Sequence, residues 1–200
     1  MSRSNDTITT VVEPVRALHL KSFEKELAAS ASGCDGVTAE PIRRDENGQV
    51  VRDGVLNLPS RVDFSCKLQS GYTMSDIKSP KHPDFEPVDL KIDGKLELTI
   101  FPFSWDEVQI SFETGDDPKR LLRLRLWYLE WFQTRRTKVG SDLSGVVHAL
   151  RGPKKDGKYW HVCLDMGSAP TAALTELFSV LASRGVDRLT LGAEMHRVDT

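Results

Sequence analysis

The sequence has no apolar run of the roughly 18 residues needed to cross a membrane, and its start, MSRSNDTITTVVEPV, lacks the apolar core of a secretory leader. Both absences set the expectation of a cytoplasmic chain with no membrane partner. The three cysteines, Cys34, Cys66 and Cys163, are odd in number, far apart and without a CxxC pair, so neither a disulfide framework nor a zinc knuckle is signalled. An excess of one charge is missing too. The 27 basic and 29 acidic residues leave a formal net charge of −2, which favours neither a nucleic-acid binder nor a polyanion mimic. GxGxxG, P-loop, HExxH and nucleophile-elbow motifs do not occur, and no cofactor is expected.

What remains is an ordinary globular composition, 39% hydrophobic and 28% charged over 200 residues. A chain of that length can bury about 70% of the surface it exposes when unfolded. Pro14 can open a helix to about Ala29, with Leu18, Leu20, Phe23 and Leu27 as a partial apolar stripe. Hydrophobicity then falls. SASGCDG has the composition of a linker, and Asn47-Gly48 suits the tip of a thinly buried hairpin. Residues 1–54 therefore read as an N-terminal helix with a mobile linker, and 55–200 as a single α+β domain.

Within that domain RVDFSCKL, the two runs flanking Asp93-Gly94, and DEVQISFE alternate as strands. Asp117-Pro118 is a helix start, so the segment to about Lys138 reads as a largely buried central helix. GVVHAL and KYWHVCLDM read as strands joined by the loop RGPKKDG. A helix from about Ala169 to Arg184 carries Leu174, Leu177, Phe178 and Leu181 at i, i+3, i+4, i+7, and VDRLTLG closes as a strand. Gly185 followed by Val186 fits a Schellman ending. The predicted fold is α+β: a mainly antiparallel sheet packed by two or three helices, with a C-terminal β-β-α-β unit.

Three constellations could carry chemistry. At the turn DMGSAP, Gly167 and Ser168 could present backbone N–H groups to an anion at a helix N-terminus. The simpler reading makes Ser168 the N-cap, with Pro170 in the first turn. Alternation in KYWHVCLDM puts His161, Cys163 and Asp165 on one face. A hairpin closed symmetrically about Lys154-Lys155 adds His148 opposite His161. His148, His161 and Cys163 could then ligate a metal, and His161, Cys163 and Asp165 could act catalytically in a metal- or thiol-dependent hydrolase. A half-solvated sheet face is the plainer account of them.

The segment after Pro118 interleaves basic residues with Trp127, Tyr128, Trp131 and Phe132, so Arg135 and Arg136 are candidate ligand contacts for nucleic acid. The basic residues do not gather on one arc, however. Arg125 falls on the apolar side, where an ion pair would be needed. The sequence therefore favours a cytoplasmic, non-enzymatic binding or regulatory module that acts through a protein partner or self-association, with the hydrolase and nucleic-acid readings as alternatives.

Overall fold

The structure, a computed structural model, describes residues 3–77, 83–92, 94–114, 118–133 and 143–192. The described residues form a mixed α+β architecture of three helices and mostly antiparallel sheets. The main sheet runs in the order β6 (Val88–Ile92), β7 (Leu96–Ile100), β11 (Arg188–Leu191), β8 (Val108–Glu113), β10 (Tyr159–Asp165), β9 (Ala149–Asp156). Among the described strands only β7 and β11 pair in parallel. A smaller sheet joins β1 (Gly36–Ala39), β4 (Phe64–Leu68) and β5 (Gly71–Ser75), while β2 (Arg52–Asp53) and β3 (Leu58–Pro59) form a short pair.

The alternation that predicted strands also sets their inner face. Val108, Ile110 and Phe112 of β8 and Val162 and Leu164 of β10 are buried, as period-2 side chains must be when one face of a sheet is covered. That cover includes α2 (Pro118–Phe132) and α3 (Thr171–Ala182). Leu124, Trp127, Tyr128, Trp131 and Phe132 face Leu174, Leu177, Phe178 and Leu181 in one apolar cluster. Two indole N–H groups fasten the helices together: Trp127 donates to the Ala173 carbonyl at 3.0 Å and Trp131 to Glu176 Oε2 at 3.0 Å. Gly185, at φ 74°, ends α3, and the Val186 N–H returns to the Leu181 carbonyl. The C-terminal order β9-β10-α3-β11 is the expected β-β-α-β unit. No helix of the described residues is long and apolar enough to cross a membrane.

Several local expectations are corrected. Helix α1 runs Arg3–Ala31, so Pro14 lies inside it and does not open it. An interior proline costs about 3 kcal/mol. The buried residues on both sides of it, Ile8 and Val12 before and Val15 and Phe23 after, supply the compensating contacts. The buried stripe is thus Ile8, Val12, Val15, His19, Phe23, while Leu18 is exposed.

Helix α2 is half-buried. Arg125 is exposed, as are Leu122 and Leu126 at 52% and 48%, so no buried ion pair is needed there. The segment RGPKKDG is mostly strand, and β9 and β10 turn at Gly157-Lys158. Cys34 and Cys66 form a disulfide, a pairing their wide spacing did not signal.

Candidate functional site

The sequence placed His148 opposite His161. The structure instead pairs His161 with Lys154 and Cys163 with Arg151, and a bulge at Gly152-Pro153 shifts the register between them. Proline is tolerated because β9 is an edge strand. His161 Nδ1 lies 2.8 Å from Ser111 Oγ on the neighbouring β8. Cys163 is half-buried, and burial pushes its thiol up, the opposite direction from an activated nucleophile. The described residues contain no group of three or more His, Cys, Asp or Glu side chains arranged to hold a metal. Arg135 and Arg136 lie outside the described residues.

His148 has gone elsewhere. It is fully buried one residue before β9, where its N–H donates to the Asp165 carbonyl at 2.8 Å. Its Nε2 lies 2.9 Å from Glu40 Oε1. Its Nδ1 lies 3.1 Å from Asp63 Oδ1 and 3.9 Å from Asp165 Oδ1, an ionic contact off the line of a hydrogen bond. Burial alone would push this imidazole down. Asp165, Asp63 and Glu40 overcome it and hold the ring as imidazolium, pushed up to about 10.

Glu40 is the hub. It is 1% exposed, and it sits at φ 53°, a left-handed conformation that a long side chain adopts only under constraint. The constraints can be named. Its N–H donates to the Asp63 carbonyl at 2.7 Å, and its carbonyl accepts from the Arg61 guanidinium. Its Oε1 accepts from the Ser168 hydroxyl and from the Ser168 N–H at 3.2 Å, and its Oε2 accepts from the Ser144 N–H. Burial would raise both Glu40 and Asp63, but the imidazolium beside them brings each below its ordinary value.

Ser168 is therefore not an N-cap. Pro170 occupies that position and offers no side-chain cap. Ser168 Oγ accepts from Gly145 N–H at 2.8 Å and donates to Glu40. The turn does hold an anion, and that anion is the protein's own Glu40 carboxylate. Gly167, at φ 49°, allows the close approach: a Cβ there would fall 2.2 Å from His148 Cδ2. Arg61 adds a second buried cation. It donates from Nε and Nη2 to the Phe132 carbonyl at the end of α2 and stacks 4.6 Å from the Phe132 ring centroid. The Tyr128 hydroxyl, which burial makes harder to ionise, lies 2.6 Å from the Pro59 carbonyl and 3.0 Å from that of His148.

A cleft of about 540 Å³ opens beside this cluster. Its walls carry six carboxylates (Asp53, Asp63, Asp76, Asp106, Glu107 and Asp165) against three arginines, Arg43, Arg61 and Arg151. Asp76 is engaged with Arg43 at 2.9 Å and Asp63 Oδ2 with the Ile77 N–H at 2.6 Å. Asp106 Oδ1 is buried without a hydrogen-bond partner. Burial pushes Asp165 up to about 6, despite His148 and the Gly167 N–H it accepts at 3.0 Å.

Sequence reading thus reached His148, Asp165, Gly167 and Ser168, which the structure brings together, named Tyr128 only among the aromatics of the basic segment, and missed Glu40, Arg61, Asp63 and Asp106. For Asp63 a faint signal existed, a charge inside an alternating strand run. For Glu40, in a polar stretch over a hundred residues from His148, there was none. Comparison with protein-family models, with curated proteins and with solved structures finds no match.

Proposed function

We propose that the chain is a non-enzymatic binding module whose carboxylate-lined cleft receives a cationic side chain of a protein partner. The observation that carries this reading is the excess of six carboxylates over three arginines in one concavity, with Asp106 Oδ1 buried and unsatisfied at its wall. A buried acceptor without a donor costs about 1–3 kcal/mol, which an incoming N–H would recover. Walls of low dielectric with an excess of one sign also focus their field on the opening. A guanidinium suits the site better than an ammonium, because its planar fork can meet two carboxylates at once.

Calorimetric titration with a capped tetra-arginine peptide tests this reading. The expected result is salt-sensitive binding that Asp106→Asn weakens by about tenfold, the worth of one charge-assisted hydrogen bond. Failure to bind, or equal binding by the variant, would refute it.

Proton transfer at the same cleft is a second reading, favoured by Asp165. A carboxyl that titrates at about 6 can hold or release a proton near neutrality. As for location, the Cys34–Cys66 disulfide favours an oxidising compartment over the cytoplasm expected from the sequence.

A further inference from the structure

The Cys34–Cys66 disulfide joins the start of the small sheet to its central strand, with Cα atoms 5.5 Å apart. Among the described strands β1 pairs only with β4, through Gly36↔Lys67, Val37↔Cys66, Thr38↔Ser65 and Ala39↔Phe64. It is four residues long, on the sheet edge, and although it packs on α1 every residue of it is exposed or half-exposed. Such a strand has little burial of its own to hold it in place. Yet Glu40, the residue immediately after it, carries the contacts to His148, Ser168 and Ser144. On the other arm of the disulfide, Asp63 leads directly into β4 and lines the cleft.

We propose that the Cys34–Cys66 disulfide is a redox latch on the cleft: while closed it keeps β1 on β4 and Glu40 on His148, and its reduction by a dithiol releases them. Cys34 is half-buried whereas Cys66 is 8% exposed, so attack falls on Cys34 Sγ. The dithiol's thiolate forms a bond to Cys34 Sγ as the disulfide breaks, and the electron pair leaves on the Cys66 sulfur, which takes a proton. The second thiol of the reductant then displaces Cys34 as a thiol and closes its own disulfide. The protein gains two electrons and two protons, and the reductant loses them.

The latch concerns the small sheet and stands whether or not the cleft binds a cation. The test is hydrogen exchange on the full chain in a Cys163→Ser background, with and without dithiothreitol. A Cys34→Ser/Cys66→Ser variant serves as a reductant-free copy of the open state. Reduction should bring the amides of 36–40 and 63–66 to within about threefold of unprotected rates, while those of 108–113 and 159–165, sped only through the lower global stability, stay at least about tenfold protected. Loss of protection in both sets, as in wholesale unfolding, or retained protection in both, would overturn the latch. Titration of the same two states with tetra-arginine reports separately on the cleft. Local opening with no binding in either state would leave the latch standing and remove the cationic-ligand reading.

Discussion

Glu40→Gln removes one charge and almost no volume, so it isolates the electrostatics of the buried cluster. In the wild type both carboxylate oxygens act only as acceptors, towards His148 Nε2, the Ser168 hydroxyl and N–H, and the Ser144 N–H. A carboxamide can serve one set and not the other. If its oxygen keeps His148 and Ser168, its NH₂ points at the Ser144 N–H, donor against donor. If it flips, the NH₂ meets the His148 and Ser168 donors. In either orientation the imidazolium loses a counter-charge at 2.9 Å in a site with no exposure. Breaking a buried pair by removing one partner costs about 3–5 kcal/mol, against a total stability of about 5–15 kcal/mol for a typical domain. At about 2–4 °C per kcal/mol for a chain of this size, the Tm should fall by about 6–20 °C.

The assay is thermal and urea denaturation of both proteins across pH, with Asp76→Asn as control. The Arg43–Asp76 pair is 41% and 59% exposed, so that change should cost less than about 1 kcal/mol. The gap between wild type and Glu40→Gln should shrink as pH rises from 6.5 towards 10, because the wild-type advantage depends on a protonated His148. A cost below about 1 kcal/mol, or a gap that ignores pH, would show that His148 is not held as a cation by Glu40 and would refute the electrostatic account.

Other consequences can be checked alongside. His148 is raised above its ordinary 6.5, so the stability it contributes is complete below 6.5 and is lost as pH climbs through about 10. Burial holds His19 below 6.5, so its contribution is lost as pH falls below that value, whereas Asp165, raised to about 6, runs the other way and loses its contribution as pH rises from 3.8 through about 6. His148→Gln should flatten the alkaline limb, and an unchanged slope would assign it to another group. Gly167→Ala puts a methyl 2.2 Å from His148 Cδ2 at a positive φ, and should cost several kcal/mol in a melt, whereas Gly48→Ala, with φ 76° and nothing within 4 Å, should cost about 1 kcal/mol. Equal costs at the two sites would mean that the His148 contact is unimportant. The Cys34→Ser/Cys66→Ser variant loses a cross-link spanning 32 residues, which by chain entropy should cost about 4 kcal/mol in urea denaturation.

Much of the architecture could be read because it depends on local pattern. The α3 stripe of Leu174, Leu177, Phe178 and Leu181, its end at Gly185 and the alternation of β8 all follow from burying one face of a periodic element. The errors occur where a local rule met a tertiary compensation. Pro14 is a helix opener by propensity, but Ile8 and Val12 carry enough burial to extend the helix through it. The β9–β10 register depends on a bulge at Gly152, where the approach of the His161 carbonyl would leave only 2.8 Å for a Cβ, a constraint that alternation cannot express. The site was half legible. His148, Asp165, Gly167 and Ser168 lie within 21 residues of one another, whereas Glu40 reaches them across 108 and 128 positions of chain. Long-range ion pairing leaves no periodic trace.

The cluster itself argues for a role beyond stability. Replacing a buried ion pair with well-packed apolar side chains is often neutral or stabilising, so stability alone gives little reason to bury Glu40, Asp63, Arg61 and His148 together. What apolar residues could not do is fix direction. The imidazolium is held between Glu40 on one nitrogen and the Asp63–Asp165 pair on the other, and those two aspartates, with Arg61, are the members of the cluster that line the cleft. The helices and the small sheet thus converge through His148 on two carboxylates that face a concavity.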